Sequence, residues 1–330
     1  MIKQLIVILS FLAGLTACIN EDLSDCGATY AVTYEAWVDM SVRDTLEARL
    51  DGKVAEAMID TLESVIAPAF DRHLHDLSLA FFTPTGQLAS SARQQASGGR
   101  HEASFYLTPD AYAHEAISVD ESVGHFAAVR ADRQETIGVG YANLSDTIRP
   151  VMTPAFSGGT TLVATGDSAL VGMPIHNAVV ALVLRAKSGA PLGEASAYLR
   201  ETASGYARAD SAYRFDQAPV IHTDRIDKAG ATAFCANCFP SKEDDKEVSP
   251  FDAGSEPSGL WEMDVYIRMT ADGEITKNTL YISDPLRAGE LAVLLMEVND
   301  EGEVEETPEV AVGVELDWKP GLDFELDVEL

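Results

Sequence analysis

Along most of the chain hydrophobic and polar residues recur with a period nearer two than 3.6, the signature of strands with one face in a core. Such stretches run from Leu77 to Phe82, Ala103 to Leu107, Ala116 to Val119, Phe126 to Val129 and Thr136 to Tyr141. Ser157-Gly-Gly159 and Gly166-Asp-Ser-Ala-Leu-Val-Gly-Met-Pro174 interrupt the pattern. It resumes in Asn177 to Lys187, Ala197 to Arg200, Trp261 to Met269, Thr279 to Ile282 and Leu291 to Val298. Turn residues, as in Thr83-Pro-Thr-Gly86 and Thr108-Pro109-Asp110, separate the strands. Short strands at roughly even spacing predict a mostly β protein built of sandwiches or barrels rather than βαβ units.

One segment departs from this period. Ser41-Val-Arg-Asp44 fits a capping box, and Leu46, Leu50, Val54, Met58, Leu62, Val65 and Ile66 follow at helical spacing before Pro68. The spacing predicts a single amphipathic helix over about 41–66, laid on a sheet. Its polar face mixes Asp and Glu with few cations, which argues against a membrane-surface helix.

The clearest alternation closes the chain. Val310, Val312, Val314, Leu316 and Trp318 alternate with smaller or acidic residues up to the turn Lys319-Pro-Gly321. Then Leu322, Phe324, Leu326, Val328 and Leu330 alternate with Asp323, Glu325, Asp327 and Glu329. Such a strand has one apolar and one anionic face. It is either the last strand of its own domain or a strand given to a neighbouring subunit. In the second case backbone hydrogen bonds supply affinity and the five apolar side chains fill pockets along a groove.

A length of 330 residues suggests two domains. The interruption places their boundary within 150–172, giving domains at 18–160 and 161–330 after a leader at 1–17. Hydrophobic residues at 46% and charged residues at 23% are normal for a packed protein. Fifty-three acidic against 23 basic residues leave a net charge of −30, which repels nucleic acid and anionic lipid headgroups. Beyond the N-terminus no apolar run reaches the ~18–20 residues that span a bilayer.

The leader has a basic start, Met1-Ile-Lys3-Gln, and an apolar core from Leu5 to Leu15, the pattern of an export signal. Leu15-Thr16-Ala17-Cys18 resembles a bacterial lipobox. The resemblance implies that Cys18 becomes the first mature residue and carries acyl chains that hold the protein on the outer membrane. Asn20-Glu21-Asp22 resembles the acidic signal that sends Bacteroidales lipoproteins to the cell exterior.

Three cysteines then remain, Cys26, Cys235 and Cys238, and an oxidising compartment favours one disulfide. The bridge is either Cys235 to Cys238 or one of these to Cys26. Cys235-Ala-Asn-Cys238 has redox spacing, but no strand–CxxC–helix setting surrounds it. Phe239-Pro240 and the polar stretch 240–258 predict a solvated loop.

Catalytic and metal patterns are weak. Gly166-Asp-Ser-Ala169 resembles the nucleophile block of GDSL-type hydrolases, with Ser168 in the attacking position. However, no His has Asp three residues before it, so the usual base is missing. His73-Leu-His75-Asp76 puts two imidazoles on one strand face without further ligands nearby. Asp272-Gly-Glu and Asn299-Asp-Glu-Gly-Glu303 lack the spacing of a calcium loop and predict acidic hairpin tips. No phosphate-binding glycine motif occurs. The expectation is a non-catalytic protein without metal or cofactor.

Several segments together resemble one family. Cys18 followed by Glu21-Asp-Leu-Ser-Asp-Cys-Gly27, leading into a strand at Tyr30, resembles the mature start of FimB-type fimbrillin anchor lipoproteins of Bacteroidales. Leu77-Ser-Leu-Ala-Phe-Phe-Thr-Pro-Thr-Gly86, Tyr106-Leu-Thr-Pro-Asp-Ala-Tyr112 and Leu316-Asp-Trp-Lys-Pro-Gly321 are similar to further segments of such proteins. The resemblance implies two transthyretin-like antiparallel β-sandwich domains, with the 41–66 helix inserted in the first. It also implies a lipid-anchored, surface-exposed base of a fimbrium whose pilin subunits join by strand exchange. The alternative is a surface lipoprotein that binds glycan in a nutrient-uptake system, although only three Trp are present for sugar stacking.

Overall fold

A computed structural model describes residues 28–108, 110–130, 137–144, 147–163, 168–243, 260–269, 273–306 and 314–320. The signal sequence, Cys18, Cys26 and 322–330 lie outside the described residues.

The first sandwich pairs two sheets. One has the order β4-β1-β9, from β1 (Ala28–Trp37), β4 (Arg100–Leu107) and β9 (Ala169–Pro174). The other has the order β3-β2-β5-β8, from β2 (Leu74–Phe82), β3 (Leu88–Gly98), β5 (Ala111–Val119) and β8 (Ala155–Val163). β1, the first strand that the resemblance implies, buries Tyr30, Val32, Tyr34 and Ala36 and exposes Trp37. Two strands beyond residue 160 belong here by pairing. β8 continues to Val163 against Ala111 of β5, and β9 lies parallel to β1 from Val32↔Ala169 to Trp37↔Pro174. Gly158 makes this possible, because a Cβ there would stand 2.2 Å from the Gly172 carbonyl oxygen.

The second sandwich has one sheet in the order β15-β16-β10-β19-β20. Its strands are β10 (Ala178–Ala186), β15 (Asp224–Lys228), β16 (Ala231–Cys238), β19 (Leu291–Val298) and β20 (Val304–Glu306). The facing sheet has the order β14-β11-β17-β18-β21. It contains β11 (Glu194–Arg200), β14 (Ile221–His222), β17 (Trp261–Arg268), β18 (Thr276–Ile282) and β21 (Val314–Pro320). A small sheet draws strands from both halves: β13 (Ala212–Arg214), β12 (Gly205–Ala207), β7 (Ile137–Tyr141) and β6 (Phe126–Arg130), in that order. The chain is thus mostly β, with two sandwiches.

The predicted single helix is two. α1 (Val42–Leu50) starts at Ser41, whose Oγ accepts from Asp44 N at 3.4 Å, and α2 spans Glu56–Ile66. Between them Gly52 takes φ +68°, a left-handed conformation that ends a helix and suits glycine. The apolar stripe survives the break. Leu46, Leu50, Met58, Leu62 and Ile66 have no exposed surface and share one cluster with Val179, Ala181, Val183, Ala233, Val293 and Leu295. The helices therefore cover the outer face of the β10 sheet, and the cluster is continuous with the interior of the first sandwich. Arg185 Nη1 donates to the Lys53 carbonyl between the helices, fixing the same contact.

This cover explains why Ala178–Leu184 is apolar without interruption. A strand buried on both faces has no polar side to show. The same fact corrects the cysteine expectation. Residues 235–238 are the end of β16, an inner strand buried at all eight positions, and not a loop. Three residues apart on an extended strand, Cys235 and Cys238 face opposite ways. Cys235 joins the cluster under the helices and Cys238 the interior of the second sandwich. Both are free thiols, so the bridge between them is not made.

Candidate functional site

The second sandwich ends at an open edge. β21 pairs with β18 antiparallel, from Ile282↔Val314 through Leu280↔Leu316 to Thr276↔Pro320. It is the outermost strand of its sheet, so among the described residues its second backbone edge has no strand partner. A strand edge of this kind is a template for another chain. The alternating segment 322–330 follows it directly in sequence.

The first sandwich has a second open edge. β9 pairs with β1 only from Val32 onward, so Ala28–Ala31 have no strand on that side among the described residues. Here β8 and β9 diverge and leave a cleft of about 240 Å³ lined by Tyr30, Ala31, Val32, Leu162, Val163 and Ser168. Val163 is 63% exposed at its rim, and the Tyr30 hydroxyl is buried without a hydrogen-bond partner. Apolar walls beside free backbone groups give this cleft the chemistry of a strand acceptor.

The catalytic candidates do not assemble. Ser168 sits exposed at the cleft, whose lining side chains include no base. A Ser–His pair that sequence spacing did not reveal lies elsewhere: Ser157 Oγ and His176 Nε2 share a hydrogen bond of 2.6 Å, and Tyr213 OH bonds Nδ1 at 3.0 Å. Ser157 has no exposed surface, and burial with the nearby charge of Arg208 holds His176 down at about 4. That imidazole is a fixed neutral spacer between β8 and the small sheet, stacked on Tyr206 at 4.0 Å. His114 is similar, accepting from Tyr34 OH and donating to the Ala80 carbonyl, each at 2.8 Å.

His73 and His75 lie 4.8 Å apart, ring to ring. His73 Nε2 accepts from Gly98 N, and His75 faces Asp120 at 3.6 Å. Among the described residues no three His, Cys, Asp or Glu side chains gather as metal ligands. At Asn299-Asp-Glu-Gly-Glu303 the Asn299 Oδ1 accepts from the backbone N–H of Glu301 and Glu303, closing a hairpin tip. Burial pushes the Cys235 thiol up to about 12 and raises that of Cys238 further, so neither is poised for redox chemistry.

No protein-family model and no curated protein sequence matches the chain. Solved structures do. A candidate adhesin from Bacteroides thetaiotaomicron superposes with a TM-score of 0.52 at 11% identity, over 90% of this chain and 98% of that one. A candidate polysaccharide-binding protein from the same organism gives 0.52 at 8% identity, over 86% and 99%. The fimbrial anchor protein Mfa2 from Porphyromonas gingivalis aligns at a TM-score of 0.44 and 11% identity over 73% of this chain and 78% of that chain, too loosely to decide anything. Over nearly its whole length, this chain has the two-sandwich fold of those Bacteroides proteins, the fold that the resemblance to fimbrillin anchor lipoproteins implied.

Proposed function

We propose that the protein is a non-catalytic, lipid-anchored cell-surface subunit that attaches a fimbrium to the outer membrane. The observation that supports this reading is the edge position of β21, a strand paired on one side among the described residues and continuous in sequence with the alternating 322–330 segment. Cys18 is the attachment point, through the acyl chains that the lipobox implies. Leu322, Phe324, Leu326, Val328 and Leu330 are the side chains that enter a pilin groove. The open β1 edge supplies the corresponding acceptor on this chain. A strand-exchanged joint dissociates slowly because a ladder of backbone bonds must break together, which suits a mechanical junction.

The test is a pull-down of the native lipoprotein from outer membranes, compared with a version lacking 322–330. Co-purification of a pilin with the full chain and its loss from the truncated one is the expected result. A pilin retained by both moves the joint to another edge. No pilin in either sample overturns the anchoring role. A second reading, a surface lipoprotein that binds glycan, is favoured by the polar and aromatic outer face of the second sandwich and by the role described for one structural neighbour.

A further inference from the structure

The outer face of the sheet containing β11, β17 and β18 holds an ordered grid of side chains. On β11 the small or apolar Ala195, Ala197 and Leu199 enter the core, so Ser196, Tyr198 and Arg200 lie on the opposite face. On β17 Met263, Val265 and Ile267 enter it, which leaves Glu262, Asp264 and Tyr266 outside. Leu280 and Ile282 do the same for β18 and leave Lys277, Thr279 and Tyr281. Register aligns these into three rows: Ser196–Tyr266–Lys277, Tyr198–Asp264–Thr279 and Arg200–Glu262–Tyr281. His222 extends the middle row beside Tyr198.

Asp264 stands at the centre, 3% exposed, and Ser196, Tyr266 and Thr279 around it are buried as well, so the accessible part of the face is the half-buried Tyr198, Arg200, Glu262, Lys277 and Tyr281. Its Oδ1 accepts from Thr279 Oγ1 at 2.7 Å and lies 3.0 Å from Lys277 Nζ. Its Oδ2 lies 3.1 Å from Arg200 Nε. A buried carboxylate on an outward face is uncommon, and its effect is to fix two long cationic side chains that would otherwise be mobile. Around them Tyr198 meets Tyr266 edge-on at 5.8 Å and stacks with His222 at 4.9 Å. Lys277 Nζ lies 5.9 Å from the Tyr266 ring centre. The Ser196 hydroxyl in the first row is buried without a hydrogen-bond partner.

Charge decides what this face suits. Within β11, β17 and β18, Arg200 and Lys277 balance Asp264 and Glu262, so these three strands add no net charge to the face on a chain of net charge −30. An anionic ligand is repelled by the rest of the surface, and a peptide strand pairs with a sheet edge rather than a face. An uncharged ligand with many hydroxyls and with apolar C–H faces matches fixed donors and acceptors set among aromatic rings. We propose that this face of the second sandwich binds a neutral oligosaccharide, with sugar rings against Tyr198 and Tyr281 and hydroxyls bonded by Arg200, Glu262 and Lys277. The inference gives the glycan reading a location and is independent of the fimbrial joint, so either fails without the other.

The test uses the full lipoprotein purified in detergent, run on native gels cast with laminarin, yeast mannan, xyloglucan or polygalacturonate, and applied to an array of neutral and sialylated oligosaccharides. Binding to at least one neutral glycan is expected. It weakens about tenfold or more in Tyr198→Ala and in Lys277→Met, and is unchanged in Arg93→Ala on the first sandwich. An unaltered melting temperature qualifies each variant, and Tyr281→Ala replaces any that fails to fold. Three results overturn the proposal: no neutral glycan bound, binding undiminished in the folded grid variants, or binding confined to acidic glycans and abolished by salt.

Discussion

Asn177 and Asn237, both fully buried, meet side chain to side chain, with Asn177 Nδ2 donating to Asn237 Oδ1 at 2.9 Å. The same Asn177 amide donates to the Ala69 carbonyl at 3.1 Å and accepts from Ala155 N at 2.9 Å. Asn237 Nδ2 donates to the carbonyls of Val151 and Thr153, each at 2.8 Å. Asn237 on β16 and Asn177 just before β10 thereby hold the turn that follows α2 and the segment leading into β8. Polar groups buried this deeply stabilise only when all are satisfied.

Asn237→Ala orphans the Thr153 carbonyl and one Asn177 N–H and leaves the Val151 carbonyl only its bond from Thr153 N, so it is expected to cost about 2–4 kcal/mol. Urea unfolding measures this. A loss below about 0.5 kcal/mol, the range of ordinary surface changes, would show that the seam is not a stabilising one.

The two helices act as mortar between the sandwiches. Leu62→Ala removes a fully buried side chain from that layer and is expected to cost about 2–5 kcal/mol. An exposed change on the same helix, Glu63→Ala, is expected to cost under about 1 kcal/mol, since it removes one partner of a surface ion pair with Arg43. Equal effects of the two substitutions would contradict the packing described.

Gly158→Ala places a methyl carbon 2.2 Å from the Gly172 oxygen. β8 and β9 must then separate, and destabilisation of about 2 kcal/mol or more is expected. Thermal unfolding checks it, and a neutral outcome would mean that the two strands do not cross so closely.

Burial lowers the pKa of His114, His125 and His176 from the usual 6.5 to about 4, leaving each neutral in the folded protein. Unfolded, they take up protons near 6.5, so between pH 6.5 and 4 the unfolded state binds more protons than the folded one. Stability is therefore full above pH 6.5 and falls as the pH drops towards 4, by at most about 3 kcal/mol per histidine. Unfolding midpoints at pH 7.5 and 5.0 measure the slope. Histidine proton signals that titrate near 6.5 for all seven imidazoles would refute it.

Neither thiol on β16 has exposed surface. In the reduced protein under native conditions Cys235 and Cys238 are expected to resist a thiol reagent and to react only after unfolding. Fast labelling of either would place β16 at a surface.

Strand identity was legible wherever one face meets water, because alternation is a local property of the sequence. The core-facing positions of β17 follow from it, whereas β1 was marked by the resemblance at its start and the beginning of α1 by the capping pattern at Ser41. Gly52, in contrast, was readable as a possible break, but the regular apolar stripe on both sides concealed it. Burial on both faces erases alternation, so β10 reads only as an uninterrupted apolar run, and nothing local showed what covers it or that Cys235 and Cys238 lie inside. Only the packing of α1 and α2 on that sheet decided it. The Ser157–His176 contact joins residues 19 positions apart, and Asp264 gathers Lys277, Thr279 and Arg200 from 13, 15 and 64 positions away on neighbouring strands. Side-chain chemistry assembled across strands depends on register and sheet order, and these exist only once the sandwiches have closed.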